Sequence, residues 1–148
     1  MPVNSILKYV EDLVSSKADT AAILDKIVEK LKDSFPHYDW VGIYLVSNGR
    51  LELGPYRGKP SPHEVIELGK GICGAAVTEG STIIVDDVNA DPRYLACNIE
   101  TRSEIVVPIF SKGEAVGEIG IDSHTQAAFT PQDRDLLEKI AALVSRRF

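Results

Sequence analysis

Two cysteines, Cys73 and Cys97, are the side chains in this 148-residue sequence best suited to nucleophilic or redox chemistry. Cys97 follows Tyr94-Leu-Ala, with Arg93 and Arg102 close in sequence. Cationic neighbours favour the thiolate, which is the reactive form of the side chain. Cys73 lies in Gly69-Lys-Gly-Ile-Cys-Gly74, at or just before the expected start of a short helix. The backbone dipole there acts in the same sense. On the residues alone, inert packing and redox chemistry both remain open for this pair. Zinc is disfavoured, because none of His37, His63 and His124 stands at ligand spacing from either cysteine. No metal site is expected, and the three histidines read as surface or capping groups.

Two further pairs could serve a small molecule. Trp40 and Tyr44 are four residues apart on one expected strand, so period two puts them on the same face. They read either as a sheet face packed on helices or as the aromatic wall of a pocket. Glu104 and Asp122 stand at the beginning and end of neighbouring expected strands. Carboxylates there are ordinarily solvated, but two that converge on a cleft recognise an ammonium group or deliver a proton.

Two other patterns fail on their own chemistry. Gly69-x-Gly71-x-x-Gly74, with Asp91 further on, has the letters of a dinucleotide fingerprint. The helix after it stops at Gly80, too short for a βαβ crossover. Its glycines are expected to allow a tight turn and close backbone approach. Asp87-x-Asn89-x-Asp91 begins like a calcium loop, but Pro92 replaces the required glycine and Asn98 the chelating glutamate. It reads as a turn rich in Asx caps.

The elements that must position these residues are legible from periodicity. Apolar stripes predict helices over residues 3–15 and 20–35, the second capped by Asp19 or Thr20 and ended by Pro36. Strands are expected at 40–46 and 50–53 around the Asn48-Gly49 turn, then at 65–68, 82–85, 104–110 and 115–122. Pro108 cannot donate to a ladder and should face an edge or a bulge. A short helix falls at 74–79. A last helix follows Thr130-Pro131, with Asp133 in its first turn. Hairpins dominate, so the fold class is α+β with a mainly antiparallel sheet flanked by helices. The stretch from Asp86 to Ser103 reads as one long irregular loop, usually a functional feature in a compact domain.

Composition bounds the partners. Apolar residues make up 44% and charged residues 26%, ordinary for a chain with one core, and this length can bury about two thirds of its unfolded surface. A single domain over residues 1–148 is expected. Sixteen basic against 22 acidic side chains give a net charge of −6, which disfavours nucleic acid. No apolar run approaches the ~18 residues of a membrane span. The opening residues lack signal-peptide features, so the cytoplasm is the expected compartment.

Taken in order, several segments resemble one family. They are Asp39-Trp-Val-Gly-Ile-Tyr44, Leu53-Gly-Pro-Tyr-Arg-Gly-Lys59, Gly69-Lys-Gly-Ile-Cys-Gly74, Tyr94-Leu-Ala-Cys97, Ser103-Glu-Ile-Val-Val-Pro108 and Ile119-Gly-Ile-Asp-Ser123. The sequence is similar here to the free methionine-(R)-sulfoxide reductases, small stand-alone GAF-domain enzymes. The resemblance implies a GAF-like sheet of about six strands and a homodimer. It implies that Cys97 attacks the sulfoxide sulfur and becomes a sulfenic acid, with Cys73 resolving it to a disulfide that thioredoxin reduces. No bound cofactor is implied. Trp40 and Tyr44 would line the methyl-sulfoxide pocket, and Glu104 and Asp122 would hold the substrate ammonium or supply a proton. The sequence departs from the family twice. The segment Gly58–His63 carries no cysteine, where many members have one. Gly120 replaces the first aspartate of the usual Asp-Ile-Asp-Ser. The alternative, motivated by Gly120, is a GAF sensor or binding module that keeps the pocket without the catalysis.

Overall fold

The computed structural model describes residues 3–94 and 99–148. Cys97 therefore lies outside the described residues.

Helices α1 (Val3–Val14) and α2 (Thr20–Ser34) lead into the hairpin β1 (Trp40–Ser47) and β2 (Arg50–Arg57). The short β3 (Val65–Glu67), α3 (Gly71–Glu79) and β4 (Ile83–Val85) follow. The long hairpin β5 (Ser103–Ser111) and β6 (Glu114–Ser123) then precedes α4 (Pro131–Val144). The sheet order is β3-β2-β1-β6-β5-β4, with every neighbouring pair antiparallel. This is the α+β architecture expected from the hairpin signals.

Alternation along the three central strands divides the molecule into two faces. Val41, Ile43, Ile105, Val107, Ile109, Ile119 and Ile121 point to one side, where they pack with buried residues of α1, α2 and α4. All seven are no more than 1% exposed. Ile6, Val10 and Val14 of α1 belong to this core, and α1 packs against α4, so its apolar stripe is satisfied within the chain. The other side carries the even-numbered residues and is covered by α3 and the segment after β2.

Local details follow the backbone chemistry. Phe35 is extended because it precedes Pro36, which disfavours helical ψ in the residue before it. Asp19 sits at the N-cap of α2, yet its side chain makes no capping bond. Thr130 and Asp133 of α4 close a reciprocal capping box. Strand β2 runs four residues past its expected end. The register shifts between Gly42 and Tyr44, and pairing resumes beyond Gly54-Pro55 to Arg57. Pro108 lies beyond the three residues of β5 that β4 covers, so its missing donor faces no strand, and a bulge follows at Ile109/Phe110.

Among its described residues, the expected irregular stretch includes a 3-10 turn at Val88–Ala90. Asp87 accepts the Asn89 N–H there, and Asp91 accepts both the backbone and the guanidinium N–H of Arg93. The aspartates thus act as the Asx caps their spacing implied.

Candidate active site

The site is built on three rungs of the central sheet. Trp40, Asp122 and Glu104 are register partners across β1, β6 and β5. The next rung is Gly42, Gly120 and Val106, and the third is Tyr44, Glu118 and Pro108. Two glycines in the middle rung leave the floor hollow between flanking aromatic and acidic side chains. The Trp40 ring fills part of that space: a Cβ on Gly42 would fall 2.3 Å from Trp40 Cη2.

A small, partly open pocket lies over these rungs. Its floor and wall include Trp40, Tyr44, Glu104, Gly120 and Asp122, with Ile66 from β3 and Ile72 and Cys73 from α3. Ser61 and His63 complete the lining from the segment after β2. That segment is tethered by the aromatic pair itself. The Trp40 indole N–H donates to the Lys59 carbonyl at 3.0 Å, and the Tyr44 hydroxyl donates to the His63 carbonyl at 2.8 Å. Lys59 also pairs with Glu100. Trp40 and Tyr44 therefore form a pocket wall, with ring centroids 6.4 Å apart and Tyr56 stacked on Trp40.

The glycines of the Gly69–Gly74 segment bring Cys73 to the wall. Gly69 and Gly71 have φ of +84° and +64°, which side-chain-bearing residues rarely adopt. A Cβ on Gly74 would fall 2.9 Å from the Glu67 carbonyl, so the helix start lies directly on β3. The segment serves close approach within an antiparallel sheet, not a βαβ nucleotide site.

Electrostatics correct one expectation. Cys73 stands in the first turn of α3, but its thiol is pushed well above its ordinary value. Burial is the largest cause, followed by the negative charges of Glu118 and Glu104, with Asp122 adding to them. The helix N-terminus offers about half a positive charge. Desolvation and three facing carboxyl groups outweigh it, so the thiol is held protonated.

Glu104 and Asp122 are not solvated strand ends. They are 7% and 6% exposed and share a hydrogen bond across the rung. Burial and the neighbouring Asp122 hold Glu104 well above the usual carboxylate range, and burial also raises Asp122, while the Glu104 bond draws it back. Both carboxyls are thus biased toward the protonated form, and the hydrogen bond between them requires a proton on the pair. Such a pair can hand a proton to a departing oxygen and balance one ammonium group.

Arg93 and Arg102, read in the sequence as acidifying neighbours of Cys97, are already engaged. Arg93 is held by Asp91 at 2.8 Å and Glu79 at 3.6 Å, and Arg102 donates to the Ile99 and Thr101 carbonyls.

Sequence reading missed Glu118, His63 and Ser61. Glu118 could have been found, since it shares a strand face with Gly120 and Asp122. His63 and Ser61 carried no such signal, because a loop has no period.

Comparisons with known proteins agree with this geometry. Residues 19–148 match the GAF domain family. A free methionine-R-sulfoxide reductase of Saccharomyces cerevisiae is 42% identical over 112 residues, covering 73% of this chain and 62% of that protein. The chain thus spans about three fifths of the yeast relative's length. The free methionine-R-sulfoxide reductase of Escherichia coli is 31% identical over 143 residues, covering 97% of this chain and 82% of that one. The structure is also similar to that of a free methionine-R-sulfoxide reductase from Neisseria meningitidis in complex with its substrate. There the TM-score is 0.93 at 36% identity, with 99% of this chain and 87% of that chain covered.

Proposed function

The chain belongs to the GAF family, on the branch that includes the free methionine-R-sulfoxide reductases, and from that premise we propose that it reduces free methionine-(R)-sulfoxide to methionine by thiol chemistry. The observation that carries the reading is the pocket itself. An aromatic wall, a thiol and a hydrogen-bonded carboxyl pair face one pocket. The E. coli and N. meningitidis proteins to which the chain is similar act on free methionine-R-sulfoxide by name.

In this reading the methyl-sulfoxide end lies against Trp40 and Tyr44, and the ammonium group meets Asp122. Cys97 attacks the sulfoxide sulfur. Its S–H proton and the Glu104 proton are available to the oxygen, which transfers to the cysteine as a sulfenic acid while methionine leaves as the thioether. Cys73 then condenses with the sulfenic acid, releasing water and forming a disulfide. Thioredoxin reduces the disulfide by exchange, so no bound cofactor is required. The protein would work as a homodimer in the cytoplasm. No helix among the described residues is long and apolar enough to cross a membrane.

A coupled assay with thioredoxin, thioredoxin reductase, NADPH and free methionine-(R)-sulfoxide tests the reading. NADPH consumption is expected for the wild type and none for Cys97→Ser. Saturable substrate binding without turnover would replace the reductase by a binding module.

A further inference from the structure

We propose that Glu118 is a specificity residue: with Asp122 it forms a two-carboxyl seat for the substrate's ammonium group, one on either side of the gap that Gly120 leaves in the pocket floor. The proposal rests on the reading that the pocket takes a free amino acid. It adds the residue that tells such a ligand from one lacking the amine.

Three observations carry it. First, Glu118, Gly120 and Asp122 stand at alternate positions of β6, so they share one face of the sheet. Gly120 and Asp122 line the pocket on that face. Secondly, both carboxyl groups are buried with oxygens left over. Glu118 is 0% and Asp122 6% exposed. Among the described residues, both Glu118 oxygens and Asp122 Oδ1 lack a hydrogen-bond partner. An orphaned carboxyl out of water costs stability, and a ligand that brings the missing donors accounts for keeping it. Thirdly, the gap between the two is open. A Cβ built on Gly120 meets nothing nearer than 3.7 Å, and that nearest atom is Glu118 Oε1. Cys73 Sγ and Trp40 Cζ3 follow at 4.0 Å. Glu118 is set behind the lining, but glycine at 120 puts no side chain between its carboxyl and the pocket.

The chemistry selects a primary ammonium group. It brings a positive charge and three N–H donors to three orphaned oxygens. A ligand without the amine would leave those oxygens unpaired, and a site built for a donor rejects the analogue that lacks it.

Binding should also move a proton. Glu118 is faced by Cys73 from α3, by Asp122 on its own strand and by Glu104 from β5. On β1 its register partner is Tyr44. Burial raises the Glu118 carboxyl to about 8, so at pH 7 most of it holds its proton. An ammonium group arriving beside it favours the charged form and expels that proton.

The test is calorimetric titration of the reduced full chain. The ligands are L-methionine, the product in this reading, and 4-(methylthio)butanoate, the same molecule without its amine. The wild type is expected to bind methionine at least about tenfold more tightly, the scale of a hydrogen bond to a charged group. Glu118→Gln should remove most of that preference by weakening methionine alone. Returning the carboxyl to the same face in Glu118→Gln/Gly120→Asp should restore it. Wild-type titrations at pH 7 in phosphate and in Tris need no variant. They should show a proton released with methionine and none with the butanoate. A Glu118→Gln protein that weakens both ligands equally, or neither, would overturn the proposal. So would a wild type that binds methionine without proton release. A wild type that binds neither ligand overturns the amino-acid reading and the proposal together. A chain that discriminates the amine through Glu118 yet turns over no methionine sulfoxide upholds the seat and sinks the reductase reading alone.

Discussion

Glu104 and Asp122 show how position divides labour between two carboxyl groups of the same kind. Both are buried on one rung, so one proton must be kept between them, because two adjacent charges away from water are too costly. In the proposed reaction Glu104 is the acid and Asp122 the charge, and their substitution should separate two kinetic effects. Glu104→Gln is expected to lower kcat about a hundredfold with little change in KM, as loss of a positioned general acid does. Asp122→Asn is expected to raise KM about tenfold or more, the scale of a hydrogen bond to a charged group. Steady-state kinetics with free methionine-(R)-sulfoxide check both, and the reverse pattern would exchange the two roles. The choice of these two residues was legible from strand ends. Their burial and shared proton were not, because burial depends on α3 and the covering segment, which lie far away in sequence.

At the scale of elements, the site depends on how firmly β1 and α4 are joined across the opposite layer. The Tyr38 hydroxyl, fully buried just before β1, donates to Asp133 Oδ1 at 2.6 Å. Asp133 is the third residue of α4 and also accepts the Thr130 backbone N–H at 2.8 Å. Burial alone would raise the Asp133 carboxyl, but the bonds from Tyr38 and Thr130 bring it below its usual value. Tyr38→Phe is expected to destabilise the fold by about 1.5–3 kcal/mol, the range for a hydrogen bond to a charged group. Urea unfolding measures this, and a change below about 0.5 kcal/mol would show the bond to be without net effect. The cap at Thr130 was readable from the Thr-Pro-x-Asp order. Its long-range partner Tyr38 was not, since nothing local marks a residue 95 positions away.

For the molecule as a whole, a buried acidic cluster makes stability depend on pH in an unusual sense. Glu118 titrates at about 8 in the fold against an ordinary 4.5, and Glu104 is raised in the same direction. The folded state therefore binds more protons than the unfolded state between these values. Stability from this source is full below the unfolded value and is lost as pH rises through the folded one. Asp133, lowered in the fold, acts oppositely and loses its contribution only as pH falls through its own depressed value. The thermal midpoint of the reduced protein is expected to decline from pH 5.5 to 8.5, and Glu118→Gln should flatten that decline. A midpoint that rises over this interval in the wild type would show Glu118 to be ionised and paired in solution.

The sequence by itself determined the class of fold, since period two, period 3.6 and turn residues are local signals that tertiary packing here reinforced. It also marked Trp40 and Tyr44 by strand parity, Glu104 and Asp122 by their place at strand ends and Cys73 by a glycine-framed turn, and all five line the pocket. Tertiary structure decided their chemical state. A helix start that would acidify an isolated thiol instead raises Cys73, because strands β5 and β6 bring three carboxyl groups against it out of contact with water. Charge and solvation are set by what surrounds a group in space, and that surrounding is assembled from segments the sequence keeps apart.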